Sequence, residues 1–152
     1  MKEFSDEIAR CQRYRHAVGF LIFDIDRFKS INDTHGHPVG DAVLRALGKY
    51  LLNQVRRCDV VGRWGGEEFV ILLPEAENQE GVVGAAEKLR RGIEAASPNW
   101  VAEVSQVTVS IGAAFARFDT EGFGAESIIE AADKCLYQAK KSGRNRVCAV
   151  TL

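Results

Sequence analysis

Asp59-Val60-Val61-Gly62-Arg63-Trp64-Gly65-Gly66-Glu67-Glu68-Phe69-Val70-Ile71-Leu72-Leu73 decides the class of this fold. Two runs of strand length, Asp59 to Arg63 and Glu67 to Leu73, flank Trp64-Gly65-Gly66, and glycine at such a junction supplies the positive φ of a tight turn. Strands joined this closely run antiparallel, because a parallel pair needs a crossover of a dozen or more residues. On the N-terminal side, Val18 to Phe23 is a continuous apolar run ending at Asp24 and Asp26, the pattern of a buried central strand. Residues 4–16 read as a lead-in helix with Phe4, Ile8 and Cys11 on one side. A polar stretch from Arg27 to His37, broken at Gly36 and Pro38, precedes a helix with the stripe Val39, Val43, Leu44, Leu47, Leu51 and Val55. That helix is expected to end at Arg56 and Arg57, where cations suit the negative end of its dipole.

On the C-terminal side, residues 79–96 carry a second helical stripe through Val82, Val83, Ala86, Leu89 and Ile93, stopped by Ser97-Pro98-Asn99. Val107 to Ala116 reads as a strand with Gly112 marking a bulge. A third main helix over 125–141 turns Ile128, Ile129, Ala132 and Leu136 inward and ends at Ser142-Gly143. Arg146 to Val150 closes as a strand. Helices interleaved with strands around a hairpin predict an α+β domain with a mixed or antiparallel sheet, not a doubly wound parallel one.

Composition sets the outer limits. The chain has 152 residues, 46% of them hydrophobic and 27% charged, a profile that excludes disorder and low complexity. Its formal net charge of −1 gives no support to a protein that coats nucleic acid or an anionic membrane. The longest uncharged stretch, Val104 to Ala116, is too short to span a bilayer, and charges at Lys2, Glu3, Asp6, Glu7 and Arg10 break any leader-like apolar run. Cys11, Cys58, Cys135 and Cys148 lack paired spacing and read as reduced thiols, in keeping with a cytoplasmic domain.

Three polar clusters fall at predicted strand ends or turns. Asp24-Ile25-Asp26 is either a solvated strand end or half of a metal site, and Gly65-Gly66-Glu67-Glu68 is either a charged tight turn or the other half. Adjacent strands would bring Asp24 and Glu67 close, and two carboxylates about 4 Å apart repel by roughly 4 kcal/mol at an effective dielectric near 20. A hard divalent cation relieves that repulsion, and carboxylates with a backbone carbonyl form a set magnesium accepts. Lys140, Lys141 and Arg144 either compensate a helix dipole or meet phosphate oxygens. No G-x-x-x-x-G-K-[ST] loop and no G-x-G-x-x-G after a strand is present, so a nucleotide site here needs another construction.

Phe23-Asp24-Ile25-Asp26-Arg27-Phe28-Lys29-Ser30-Ile31-Asn32-Asp33, His35-Gly36-His37-Pro38-Val39-Gly40-Asp41, Arg63-Trp64-Gly65-Gly66-Glu67-Glu68-Phe69 and Ala132-Asp133-Lys134-Cys135-Leu136-Tyr137-Gln138-Ala139-Lys140-Lys141-Ser142-Gly143-Arg144-Asn145 together resemble GGDEF domains, in a GGEEF variant. These are the diguanylate cyclases of bacteria, and four motifs in order cover nearly the whole chain, from about Val18 to Val147. The resemblance implies a nucleotidyl-cyclase or polymerase-palm sheet with a ferredoxin-like core. It implies condensation of two GTP into cyclic di-GMP with release of two pyrophosphates, by two domains paired antiparallel as a homodimer. Asp24, the Ile25 carbonyl and Glu67 would hold magnesium, or manganese in its place. Glu67 would take the hydroxyl proton, with Glu68 beside it. Lys29 would neutralise charge on the phosphate, and Lys140 and Arg144 would grip the outer phosphates. Asn32 and Asp41 match the pair that reads guanine; a carboxylate there accepts from both the ring imino and exocyclic amino groups, a donor pair adenine lacks.

Arg56-Arg57-Cys58-Asp59 resembles the family's R-x-x-D inhibitory site, at which Arg56 and Asp59 would bind the product, cyclic di-GMP. Lys88 stands near the place of a second product-gripping arginine in some relatives, a role left open. His35 and His37 fall in a loop the family uses as scaffolding, without a third metal ligand in view. The D-x-L-T-G-L-x-N-R segment that usually opens such domains is not in this sequence, which implies a trimmed catalytic domain over 1–152 without its leader or sensory module. The sensor protein it would belong to can itself be membrane-bound. Two other functions remain open: a receptor that binds cyclic di-GMP without making it, and a mononucleotide cyclase.

Overall fold

Strand β1 (Ala17–Ile25) is buried along almost its whole length because helices cover both faces of the sheet it centres. The computed structural model describes residues 2–118 and 124–152. Around β1 lie α1 (Lys2–Arg13), α2 (Phe28–His35), α3 (His37–Leu52), the hairpin β2 (Val60–Gly65) and β3 (Glu68–Pro74), α4 (Gln79–Ala96), β4 (Val109–Arg117), α5 (Ala125–Lys141) and β5 (Val147–Thr151). The strand order is β2-β3-β1-β4-β5; β1 pairs antiparallel with β3 and β4, β2 with β3, and β4 runs parallel to β5. The first four strands therefore have the ferredoxin-like order, to which α5 and β5 add a parallel edge. The α+β expectation holds.

Alternation along β1 divides the apolar side chains between two cores. Leu21, Phe23 and Ile25 meet Val43, Leu47 and Leu51 of α3 and Val82, Ala86 and Ile93 of α4. Phe20 and Ile22 meet Ile8 and Cys11 of α1 and Ile128, Ala132 and Leu136 of α5. A strand with both faces covered reads as an uninterrupted apolar run, which explains Val18 to Phe23. Trp64 packs edge-on to Phe20 with ring centroids 6.4 Å apart and ties the hairpin to the second core.

Four local expectations change. The polar stretch after β1 folds as a helix of its own, α2, with Phe28 buried beneath it. Helix α3 stops at Leu52, so Arg56 and Arg57 do not cap its dipole. The hairpin starts one residue later on each side, Gly66 and Glu67 form the turn, and Gly66 alone of its two glycines has positive φ, 51°. Gly112 marks no bulge: the β1–β4 register runs unbroken from Ala17 opposite Arg117 to Ile25 opposite Val109. A Cβ at Gly112 would collide with the Ala132 carbonyl oxygen and the Leu136 nitrogen, so the missing side chain lets α5 lie directly on β4. All four cysteines are free thiols, and no helix among the described residues is long and apolar enough to cross a membrane.

Candidate functional site

The end of β1 carries the acids. Asp24 is only 7% exposed and sits opposite Glu68 on β3, with Ser110 of β4 on its other side. Residues directly opposite on paired strands share a face, so Asp24 and Glu68 point together toward α5. Glu67 occupies the turn immediately before Glu68, close enough to repel the Asp24 charge. Arg63 fixes that turn by donating from Nε and Nη2 to the Gly66 carbonyl at 2.8 and 2.6 Å. Sequence reasoning passed over Arg63, whose role depends on how the turn folds back.

Burial raises the Asp24 carboxyl above its ordinary pKa, and the charges of Glu67 and Asp26 push the same way, against the opposing pull of Lys140. Glu68 is raised by burial first and by Asp24 second. Carboxylates that repel one another around the buried Asp24 call for a cation. Lys140, in the last turn of α5, supplies one: its Nζ lies 2.8 Å from Asp24 Oδ2. An ammonium already seated on Asp24 shows that the site accepts positive charge, and the hard oxygen donors suit magnesium. Among the described residues no three His, Cys, Asp or Glu side chains converge on a metal position, so protein side chains alone do not fill a coordination shell. His35 and His37 are exposed on successive helices.

Beside this acid cluster, α2 and α3 pack as a pair and bring Asn32 near Gly40 and Asp41. Asn32 Oδ1 is buried without a hydrogen-bond partner, the one such atom among the described residues. An unpaired buried acceptor costs about 1–3 kcal/mol, and a ligand that donates to it removes that penalty. Gly40 makes the room, since a Cβ there would overlap Asn32 Oδ1 and press on Phe28. Asp41 is exposed on the first turns of α3, and Lys29 is exposed on the first turn of α2.

Beyond α5, Gly143, Arg144 and Asn145 take φ values of 115°, 63° and 44° and turn the chain sharply into β5. Arg144 is exposed at this bend, at the mouth of a polar cleft of about 710 Å³ also lined by Asp26, Arg27, Thr34 and Thr108.

In the connection from α3 to β2, Arg56 and Asp59 close a tight turn: Asp59 Oδ2 accepts from the Arg56 backbone N–H at 2.7 Å, and the Asp59 N–H donates to the Arg56 carbonyl at 3.1 Å. Both line a cleft of about 440 Å³ together with Leu73, Pro74, Asn78 and Lys88. Lys88, left open from sequence, thus shares a cavity with the R-x-x-D turn.

The family described as "Diguanylate cyclase, GGDEF domain" matches residues 1–146. This chain belongs to the GGDEF domain family. The domain is 41% identical over 133 residues to diguanylate cyclase A of Treponema denticola, covering 88% of this chain and 35% of that protein. It is 43% identical over 133 residues to the response regulator PleD of Caulobacter vibrioides, covering 86% of this chain and 28% of that protein. The chain thus spans about a third of the length of these curated relatives. Among solved structures, the active GGEEF domain of a diguanylate cyclase from Vibrio cholerae superposes with a TM-score of 0.86 at 31% identity, covering 97% of this chain and 92% of that one. The GGDEF domain of DgcB from Caulobacter crescentus, in complex with c-di-GMP, gives a TM-score of 0.84 at 31% identity, covering 97% and 86%. This GGDEF domain gathers Asp24, Glu67, Glu68 and Lys140 at one strand end and keeps Arg56, Asp59 and Lys88 in a separate cleft.

Proposed function

We propose that this GGDEF domain, over residues 1–152, is a diguanylate cyclase that condenses two GTP into cyclic di-GMP and two pyrophosphates, working as a homodimer. One observation carries the reading: Lys140 is seated on Asp24 at the end of β1, with Glu68 opposite on β3 and the charge of Glu67 acting from the turn, next to the α2–α3 pair that bears Lys29, Asn32 and Asp41. Asp24, Glu67 and the Ile25 carbonyl are the groups that would hold magnesium or manganese, which supplies charge neutralisation at the phosphates when bound. Lys140 would leave Asp24 for the outer phosphates, joined there by Arg144, while Lys29 meets charge growing on the reacting phosphoryl group. Asp41 would accept from the imino and amino edge of guanine, and Asn32 would hold the same base. Glu67 would take the proton of the 3′-hydroxyl as it attacks the α-phosphorus of the facing nucleotide, with Glu68 close behind it. Such in-line displacement depends on positioning and electrostatics rather than covalent intermediates.

The product would return to the cleft of Arg56, Asp59 and Lys88 and lower turnover from there. Binding at that distance inhibits only if it favours an arrangement of two domains in which the nucleotides do not meet.

Incubating the dimeric protein with GTP and magnesium, and separating products by chromatography, tests the reaction. Cyclic di-GMP is expected, and Glu67→Gln abolishes it with an unchanged circular-dichroism spectrum. No cyclic di-GMP from protein shown dimeric by light scattering overturns the cyclase reading. Calorimetry with cyclic di-GMP tests the second site: Arg56→Ala is expected to weaken binding at least tenfold, and unchanged affinity removes the inhibitory cleft.

A further inference from the structure

Beneath the acid cluster lies a second polar constellation that the proposed reaction does not use. Asp26, 9% exposed, follows β1, and its Oδ1 accepts from Ser110 Oγ at 2.6 Å. Its Oδ2 accepts from Thr108 Oγ1 at 2.8 Å and from the backbone N–H of Asn145 at 3.0 Å. The Asn145 side chain is held from the other direction, its Oδ1 accepting from Arg90 Nη1 at 2.7 Å and its Nδ2 donating to Glu94 Oε1 at 3.0 Å. Arg90 is itself braced by Glu87 and Glu94 of α4, and its side chain is 13% exposed.

Every polar atom of the Asn145 side chain, and its backbone donor, is thus committed to partners far away in sequence. The commitment has a conformational purpose. Arg144 and Asn145 both sit at positive φ, a conformation unfavourable for arginine and more readily adopted by asparagine, which persists where the surroundings over-determine it. With Asp26 and Arg90 released, the bend would be held only by the local bonds of Arg144, whose N–H donates to the Ala139 carbonyl at 3.0 Å and whose carbonyl accepts from Arg146 Nε at 3.1 Å, and it would be freer to carry Arg144 away from the end of β1.

We infer that Asp26 and Arg90 are positioning residues that, through Asn145, fix the bend presenting Arg144 to the substrate phosphates. The inference rests on the proposed reading of Arg144 as a phosphate contact. Asp26 serves position rather than ligation: its two oxygens are already occupied by three donors.

Double-mutant cycles separate this role from a general structural one. Asp26→Asn removes the charged acceptor, and Asn145→Gly removes the side-chain bonds while remaining at ease at positive φ. Each is expected to raise KM for magnesium-GTP about tenfold with kcat changed less than about twofold, the same effect expected of Arg144→Ala. In the Arg144→Ala background either change is expected to add less than about twofold. Calorimetry with magnesium and a non-hydrolysable GTP analogue should show the same pattern without turnover. Full additivity with Arg144→Ala, or unchanged KM in both variants, overturns the inference. Should Asp26→Asn fail to fold, Asn145→Gly decides alone. An inert parent protein that binds the analogue normally would sink the cyclase reading instead, and the binding cycle would still decide the role of Asp26.

Discussion

Lys140 Nζ sits 2.8 Å from Asp24 Oδ2, so the last turn of α5 places an ammonium on the most buried acid of the site. Lys140 lowers an Asp24 pKa that burial raises. Lys140→Met is therefore expected to move the Asp24 carboxyl further up, a change read directly by carbon NMR of the carboxyl signal against pH. At a pH where Asp24 is ionised in both proteins, the variant should bind magnesium about fivefold more tightly, because an ion pair whose lysine is still a third exposed is worth about 1 kcal/mol. Weaker magnesium binding, or a carboxyl signal that titrates as before, would show that the pair does not occupy the cation position.

Glu68 sets stability against pH. Burial and the Asp24 charge raise its pKa in the folded protein. Below the ordinary carboxylate range both folded and unfolded chains are protonated and the group exerts no penalty. As pH rises from the unfolded to the folded pKa, the unfolded chain releases its proton first, so the folded state loses stability, and the loss is complete above the folded pKa. Glu68→Gln is thus expected to raise the urea midpoint at about pH 7.5 and to leave it unchanged at about pH 3. A variant less stable than the parent at neutral pH would contradict this.

Gly40 leaves room for the Asn32 amide, and a methyl group there would displace Asn32 Oδ1. Gly40→Ala should raise KM for GTP about tenfold while kcat falls less than about threefold, the signature of lost ground-state binding. An unchanged KM would remove Asn32 from base recognition.

Gly112 bears the weight of α5 on β4. A Cβ would strike backbone atoms of Ala132 and Leu136, which cannot yield as a flexible side chain can. Gly112→Ala is expected to destabilise the domain by about 3 kcal/mol, seen as a lower urea midpoint with the slope unchanged. A loss under about 1 kcal/mol would mean that α5 shifts freely over the sheet.

The lettering of the chain was enough for the central sheet. An apolar run of strand length at Val18 to Phe23 fits a strand covered on both faces, and two short runs around Gly65-Gly66 fit a hairpin, because both patterns arise from neighbours along the chain. Asp24, Glu67 and Lys140 stood out as members of charged clusters, whereas Arg56 and Asp59 stood out only through the family resemblance of their R-x-x-D spacing. Local pattern failed where distant packing outweighed propensity. Gly112 reads as a bulge until α5 is laid across it, and Arg56 reads as a helix end until α3 stops at Leu52 and Asp59 closes a turn. Only the folded chain paired Lys140 with Asp24, left Asn32 Oδ1 without a partner, put Lys88 in one cleft with Arg56 and Asp59, and bound Asp26 to Asn145. Those relations join residues separated by tens of positions, and a hydrogen bond or a Coulomb contact depends on distance in space, which sequence order does not record.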